Sequence, residues 1–84
     1  MTGAGLRHLR VLLAVAESGS VTEAAQASGV SQPAVTQALH KLESIAGGPL
    51  FDRTHRGTFA TPRGAVLIRR VRRALGRLDP ALTA

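Results

Sequence analysis

The 84-residue chain carries 11 Lys and Arg against five Asp and Glu, a formal net charge of +6. A chain this short buries one modest core, and its basic excess favours nucleic acid as a partner, with an anionic membrane surface as the competitor. The absence of Cys excludes a disulfide framework and a thiolate metal site, and no apolar run reaches the roughly 20 residues of a membrane span. With no secretion pattern at its start, we expect a soluble, cytoplasmic protein.

The first predicted helix runs from Leu6 to Glu17. Its apolar stripe recurs at helical spacing and consists of Leu6, Leu9, Leu12, Leu13 and Ala16. Arg7 and Arg10 lie off this stripe, so we expect them to be solvated.

The second predicted helix begins at Ser20, because Ser20-Val21-Thr22-Glu23 has the form of a capping box. Gly29 ends this helix, since glycine tolerates the positive φ of a tight turn. A short helix, a turn with Gly and a further helix form a helix-turn-helix, whose second helix lies in the major groove of DNA.

That further helix is predicted from Ser31 to Ala46, with Ser31 as its cap and Pro33 in its first turn. Its apolar face consists of Val35, Ala38, Leu39, Leu42, Ile45 and Ala46. The opposite face is rich in hydrogen-bonding groups yet uncharged until Lys41, whereas an ordinary solvated face carries Glu and Lys. This pattern favours a surface that reads base edges.

A change of pattern after Gly47 predicts a short β-hairpin over Leu50 to Thr61, with Gly57 in its turn. An isolated hairpin is only marginally stable, so we expect Leu50 and Phe51 to anchor it to the helices. Its tip carries Arg53, His55 and Arg56. A basic hairpin after a helix-turn-helix is a wing placed to touch the DNA backbone or the minor groove.

The fourth predicted helix starts at Thr61-Pro62 and runs to about Asp79. Its heptad-like apolar seam consists of Ile68, Val71, Leu75, Leu78 and Leu82, and most other positions are Arg. This seam has no evident partner inside so small a domain, which favours a homodimer joined by this helix. The fold class is thus mainly α: a winged helix-turn-helix over residues 1–61, followed by a linker or dimerisation helix over 62–84.

Together these motifs resemble the N-terminal DNA-binding domain of LysR-type transcriptional regulators. The resemblance covers about Leu6 to Leu78 and rests on Glu17-x-Gly19-Ser20-x-Thr22-x-Ala24-Ala25, Val30-Ser31-Gln32-Pro33-Ala34, Leu42-Glu43, Gly47, Leu50-Phe51-x-Arg53 and Thr61-x-x-Gly64. It implies a linker helix that pairs two subunits, and a dimer or tetramer on an interrupted dyad in a promoter. Gln37 stands where the family often has Arg, and His40 where it is often basic, so readout here is less electrostatic.

The predicted DNA contacts come from the start of the third helix and from the wing. They are Ser31, Gln32, Pro33, Ala34, Thr36, Gln37, His40, Lys41, Arg53 and Arg56. Gln can pair with adenine, and Pro33 or Ala34 can contact a thymine methyl group. Lys41 is either a phosphate contact or a solvated lysine. The three His residues lack the spacing of metal ligands, so we expect neither a metal nor a cofactor.

Other functions fit part of the pattern. The five acidic residues are scattered and no catalytic motif is present, so we expect no enzymatic activity. A winged-helix interaction module with an acidic partner, and a winged-helix regulator with a different sensor domain, remain alternatives. LysR-type regulators carry a C-terminal inducer-binding domain, and this chain stops at the linker helix. We therefore expect a fragment of a longer protein rather than a naturally short one.

Overall fold

The computed structural model describes residues 5–78, with the backbone alone given for the last two, and it confirms a mainly helical winged helix-turn-helix. The elements in order are α1 (Leu6–Ser18), α2 (Val21–Ser28), α3 (Gln32–Ala46), β1 (Phe51–Thr54), β2 (Gly57–Ala60) and α4 (Pro62–Leu78). No helix among the described residues is both long and apolar enough to cross a membrane.

The helix-turn-helix is delimited by caps that the sequence predicted. Ser20 Oγ accepts a hydrogen bond from the Glu23 N–H at 3.2 Å, and so begins α2. Gly29 ends α2 with φ of 69°, which is unfavourable for residues that carry a Cβ. Ser31 Oγ then accepts from the Ala34 N–H at 3.2 Å and begins α3. Two side-chain caps and a glycine with positive φ therefore set where α2 begins and ends and where α3 begins.

The core is one cluster to which all four helices and the start of β1 contribute, and its fully buried members include Leu12, Val15, Val35 and Leu50. On α1 the predicted stripe is only partly right. Val11 and Val15 are buried, whereas Leu6, which the stripe included, is 47% exposed. Val11 and Val15 are buried because α1 contacts α2, α3, α4 and β2 and is covered over a wider arc than one stripe describes. Leu6 is the first residue of α1 and lies at the end of this packed surface.

On α3, Ile45 was expected in the apolar face but is 57% exposed, while Val35, Ala38, Leu39 and Leu42 are buried as expected. At about 100° per residue, Ile45 lies about 60° from Leu42 and falls at the edge of the buried face.

The wing is a two-stranded antiparallel hairpin in which Phe51 faces Ala60 and Thr54 faces Gly57. Gly57 begins β2 rather than lying within the turn, so the connecting loop consists of His55 and Arg56. The backbone N–H of Thr58 donates to the Gly19 carbonyl oxygen at 2.9 Å, which fixes the wing to the turn between α1 and α2.

The seam of α4 lies inside the domain. Ile68, Val71 and Leu75 are only 5–6% exposed and belong to the common core. The expectation that they lack a partner within one chain is therefore wrong, because α1 packs against α4 and covers them. The side chain of Leu78 and all of Leu82 lie outside the described part of the chain.

Candidate nucleic-acid interface

The first three turns of α3 present the predicted reading surface to solvent. Gln32, Pro33, Thr36, Gln37 and His40 line one shallow depression on the protein surface. Thr36 is half-buried and the other four are exposed. The structure therefore brings five of the predicted contacts together on one accessible face.

The N-terminus of α3 combines a side-chain cap with the positive end of the helix dipole. Ser31 Oγ is engaged as an acceptor by the Ala34 N–H, but a hydroxyl group also has a proton to donate. Ser31 is exposed, and the N-terminus of a helix favours an anion through its dipole. Both the cap and a phosphate contact are thus chemically compatible at Ser31. Lys41 is also exposed and lies further along α3, past its middle.

Arg53 joins the wing to α3. Its guanidinium Nη2 donates a hydrogen bond to Thr36 Oγ1 at 3.2 Å. Arg53 and Arg56 were both predicted at the hairpin tip, yet Arg53 lies within β1 and extends to the helix. Arg56 is exposed in the two-residue loop. The wing therefore offers one guanidinium beside the reading surface and another at its tip.

A second bond between α3 and the wing involves a residue whose role the sequence did not reveal. Glu43 Oε2 accepts from the Leu50 N–H at 2.9 Å, just before β1 begins. The cleft between α3 and β1 is lined by Leu39, His40, Glu43, Phe51 and Arg53. Leu42-Glu43 formed part of the family resemblance, but nothing in its spacing indicated this partner.

The C-terminus of α3 is tied to the start of α4. Arg63 Nη1 donates to the Ala46 carbonyl oxygen at 2.6 Å, where a cation also complements the helix dipole. The arginine-rich pattern of α4 gave no signal that this guanidinium caps another helix. The orientation of α3 is therefore fixed at both of its ends.

The charge on the described surface is unevenly distributed. The exposed guanidinium groups of α4 belong to Arg63, Arg69, Arg70, Arg72 and Arg73, and α4 contains no acidic residue. The start of α3, in contrast, is neutral until Lys41. Between residues 5 and 78, no three His, Cys, Asp or Glu side chains come close enough to hold a metal ion.

An exposed, neutral, hydrogen-bonding helix face beside a wing that carries Arg defines a DNA-binding domain of the winged helix-turn-helix class. The family model described as "Bacterial regulatory helix-turn-helix protein, lysR family" matches residues 6–65. The chain therefore belongs to the LysR family.

Relatives and solved structures agree with this assignment. The chain is 44% identical over 78 residues to the small neutral protease regulatory protein of Streptomyces coelicolor, covering 93% of this chain and 22% of that relative. It is 45% identical over 69 residues to the HTH-type transcriptional regulator TfdS of Cupriavidus pinatubonensis, covering 82% and 23%. The chain thus spans less than a quarter of the length of either protein.

The crystal structure of a CbnR_DBD–DNA complex superposes with a TM-score of 0.84 at 35% identity, covering 92% of this chain and 88% of that one. The fold is therefore shared with a domain that was crystallised on DNA.

Proposed function

We propose that this chain is the DNA-binding portion of a LysR-family transcription regulator and binds duplex DNA in a sequence-specific manner. The observation that carries the proposal is the accessible neutral face of α3 between Gln32 and His40, with Arg53 of the wing beside it. The relatives named above are regulators and not enzymes, and we propose no catalytic role here. The site of action would be the bacterial cytoplasm, where the chromosome lies.

In this proposal, α3 enters the major groove with its N-terminal end foremost. Gln32, Thr36 and Gln37 contact base edges, where an amide can pair bidentately with adenine. Pro33 or Ala34 packs on a thymine methyl group. The phosphate contacts come from Ser31, His40, Lys41, Arg53 and Arg56. Arg suits this task because its planar fork matches phosphate geometry.

We also propose a homodimer that binds a dyad through two copies of α3, with α4 as the joining helix. Because Ile68, Val71 and Leu75 are buried in the monomer, a partner has to use another face of α4. Val66 is 38% exposed and lies in a surface depression lined by Ala46, Pro62, Arg63, Val66, Leu67 and Arg70. Among the side chains of α4 that the structure describes, Val66 is the exposed large apolar one, and the Arg residues around it limit how tightly two copies associate.

The alternatives are less well supported. An interaction module with an acidic partner would use the Arg side chains of α4, but this alternative does not explain the exposed neutral face of α3. A winged-helix regulator with a different sensor is disfavoured by the family match over residues 6–65.

Selection of bound sequences from a random duplex pool tests the proposal. We expect enrichment of a dyad with two half-sites, and an affinity that falls steeply as salt rises, because phosphate contacts release counterions. A control selection uses the Gln32→Ala/Gln37→Ala double variant. Failure of the wild-type protein to enrich any sequence contradicts sequence-specific binding.

A further inference from the structure

Two hydrogen bonds hold the segment from Leu50 to Arg53 alongside α3. Glu43 Oε2 accepts from the Leu50 N–H, and Thr36 Oγ1 accepts from Arg53 Nη2. Seven residues of helix rise about 10.5 Å, and three residues of strand rise about 10 Å. The two spacings match, so the chain segment that leads into β1 runs antiparallel to α3 and is attached at two points.

Thr36 occupies a special position in this arrangement. It is the only predicted base reader of α3 whose side chain is bonded to the wing within the described residues. A threonine in a helix divides its population between two χ1 rotamers, because its hydroxyl group can also bond to the preceding turn. A guanidinium donor at 3.2 Å favours the rotamer that places Oγ1 toward the wing.

The bond also leaves the hydroxyl proton of Thr36 available to donate to DNA. A hydroxyl group has one proton and two lone pairs. Arg has only donors, so Thr36 Oγ1 accepts from Arg53 and keeps its own proton for a further acceptor. In the major groove the acceptors are N7 of the purines, O6 of guanine and O4 of thymine, whereas cytosine presents an amino donor.

We infer that Arg53 is a positioning residue for base readout, which holds the Thr36 hydroxyl group as a donor toward an acceptor edge in the major groove. This inference rests on the proposed function. It gives Arg53 a part in sequence discrimination, beyond the charge that it brings to the DNA backbone. At the position under Thr36 we therefore expect a base with an acceptor edge, which is a purine or thymine.

A double-mutant cycle tests this coupling, with the ratio of affinity for the selected operator to that for a scrambled duplex as the readout. Thr36→Val removes the hydroxyl group and keeps the branched shape. We expect it to lower the ratio about fivefold, the value of one hydrogen bond of ordinary strength. Arg53→Ala is expected to lower the ratio by a similar factor, and to lower it no further when Val already stands at position 36.

Arg56→Ala is the matched control, because it also removes one positive charge from the wing but has no bond to Thr36. Both arginine variants should weaken non-specific binding and reduce the salt slope by about one phosphate contact. Only Arg53→Ala should change the specificity ratio. Thr36→Ser keeps the hydroxyl group and should therefore keep the dependence of the ratio on Arg53.

Selection from a random pool with Thr36→Val and Arg53→Ala adds a positional readout, since both variants should lose base preference at the same position of the operator. Thermal melting curves verify that each variant is folded. An unchanged specificity ratio in Arg53→Ala overturns the inference. The inference is also overturned if Arg53→Ala lowers the specificity ratio equally in the wild-type protein and in Thr36→Val. Failure of the wild-type protein to select any sequence would instead refute the proposed function.

Discussion

Gly64→Ala tests whether the close approach of α4 to Leu50 outweighs the higher helix propensity of alanine. Gly64 lies buried in the first turn of α4, and a Cβ built there overlaps the carbonyl oxygen of Leu50. That oxygen cannot move freely, because it accepts from the Thr61 N–H at 3.0 Å, while Thr61 Oγ1 donates to the Pro49 carbonyl at 2.7 Å. The start of α4 and the start of the wing would have to separate.

The two effects have opposite signs. Helix propensity alone favours Ala over Gly by about 1 kcal/mol. Overpacking against fixed backbone costs about 3 kcal/mol, the upper end of the usual range. The net loss is then about 2 kcal/mol in the free energy of unfolding. For a domain of this size that lowers the melting temperature by about 8–16 °C.

Thermal unfolding followed by circular dichroism measures the effect of Gly64→Ala. Ala74→Gly is the control, because position 74 is exposed in the same helix and reports propensity alone, with an expected loss of about 1 kcal/mol. A melting temperature for Gly64→Ala that equals or exceeds that of the wild type would refute the close approach of α4 to Leu50.

Further substitutions test the core, the dimer and the attachment of the wing. Val71→Asp places an unpaired charge in the monomer core and should cost about 3 kcal/mol or more, so the domain loses its fold rather than only its dimer. Val66→Asp should keep the melting temperature and shift sedimentation toward the monomer; unchanged sedimentation would remove Val66 from the interface. Glu43→Ala leaves the Leu50 N–H without its acceptor and should cost about 1 kcal/mol, whereas Glu43→Gln restores an acceptor oxygen and should recover most of it. Equal stability of the two Glu43 variants would show that this bond contributes nothing.

Local features of the chain were the most predictable from the sequence. Ser20, Gly29 and Ser31 set helix boundaries through bonds to residues three or four positions away, so the sequence pattern alone indicates them without tertiary structure. The exposed face of α3 followed in the same way, because helical periodicity separates it from Val35 and Leu39.

Contacts between elements were not predictable in this way. The apolar period of α4 identified Val71 and Leu75 as a buried face, but a period does not say whether the covering surface belongs to the same chain or to a second copy. Likewise the bond between Thr36 and Arg53 spans 17 residues and depends on how the wing docks on α3. The exposed face of α3 could therefore be predicted from the sequence, whereas its bonds to the wing required the structure.

The central claim is that the neutral face of α3 reads bases, and the most direct test compares Gln32→Ala and Gln37→Ala with the wild-type protein. Affinities are measured on the selected operator and on a scrambled duplex at several salt concentrations. Each substitution should cost about 1–3 kcal/mol on the operator, with non-specific affinity and the salt slope near wild type, because neutral side chains release no counterions. If both variants keep the full ratio of specific to non-specific affinity, α3 is not the base reader and the account of specificity is wrong.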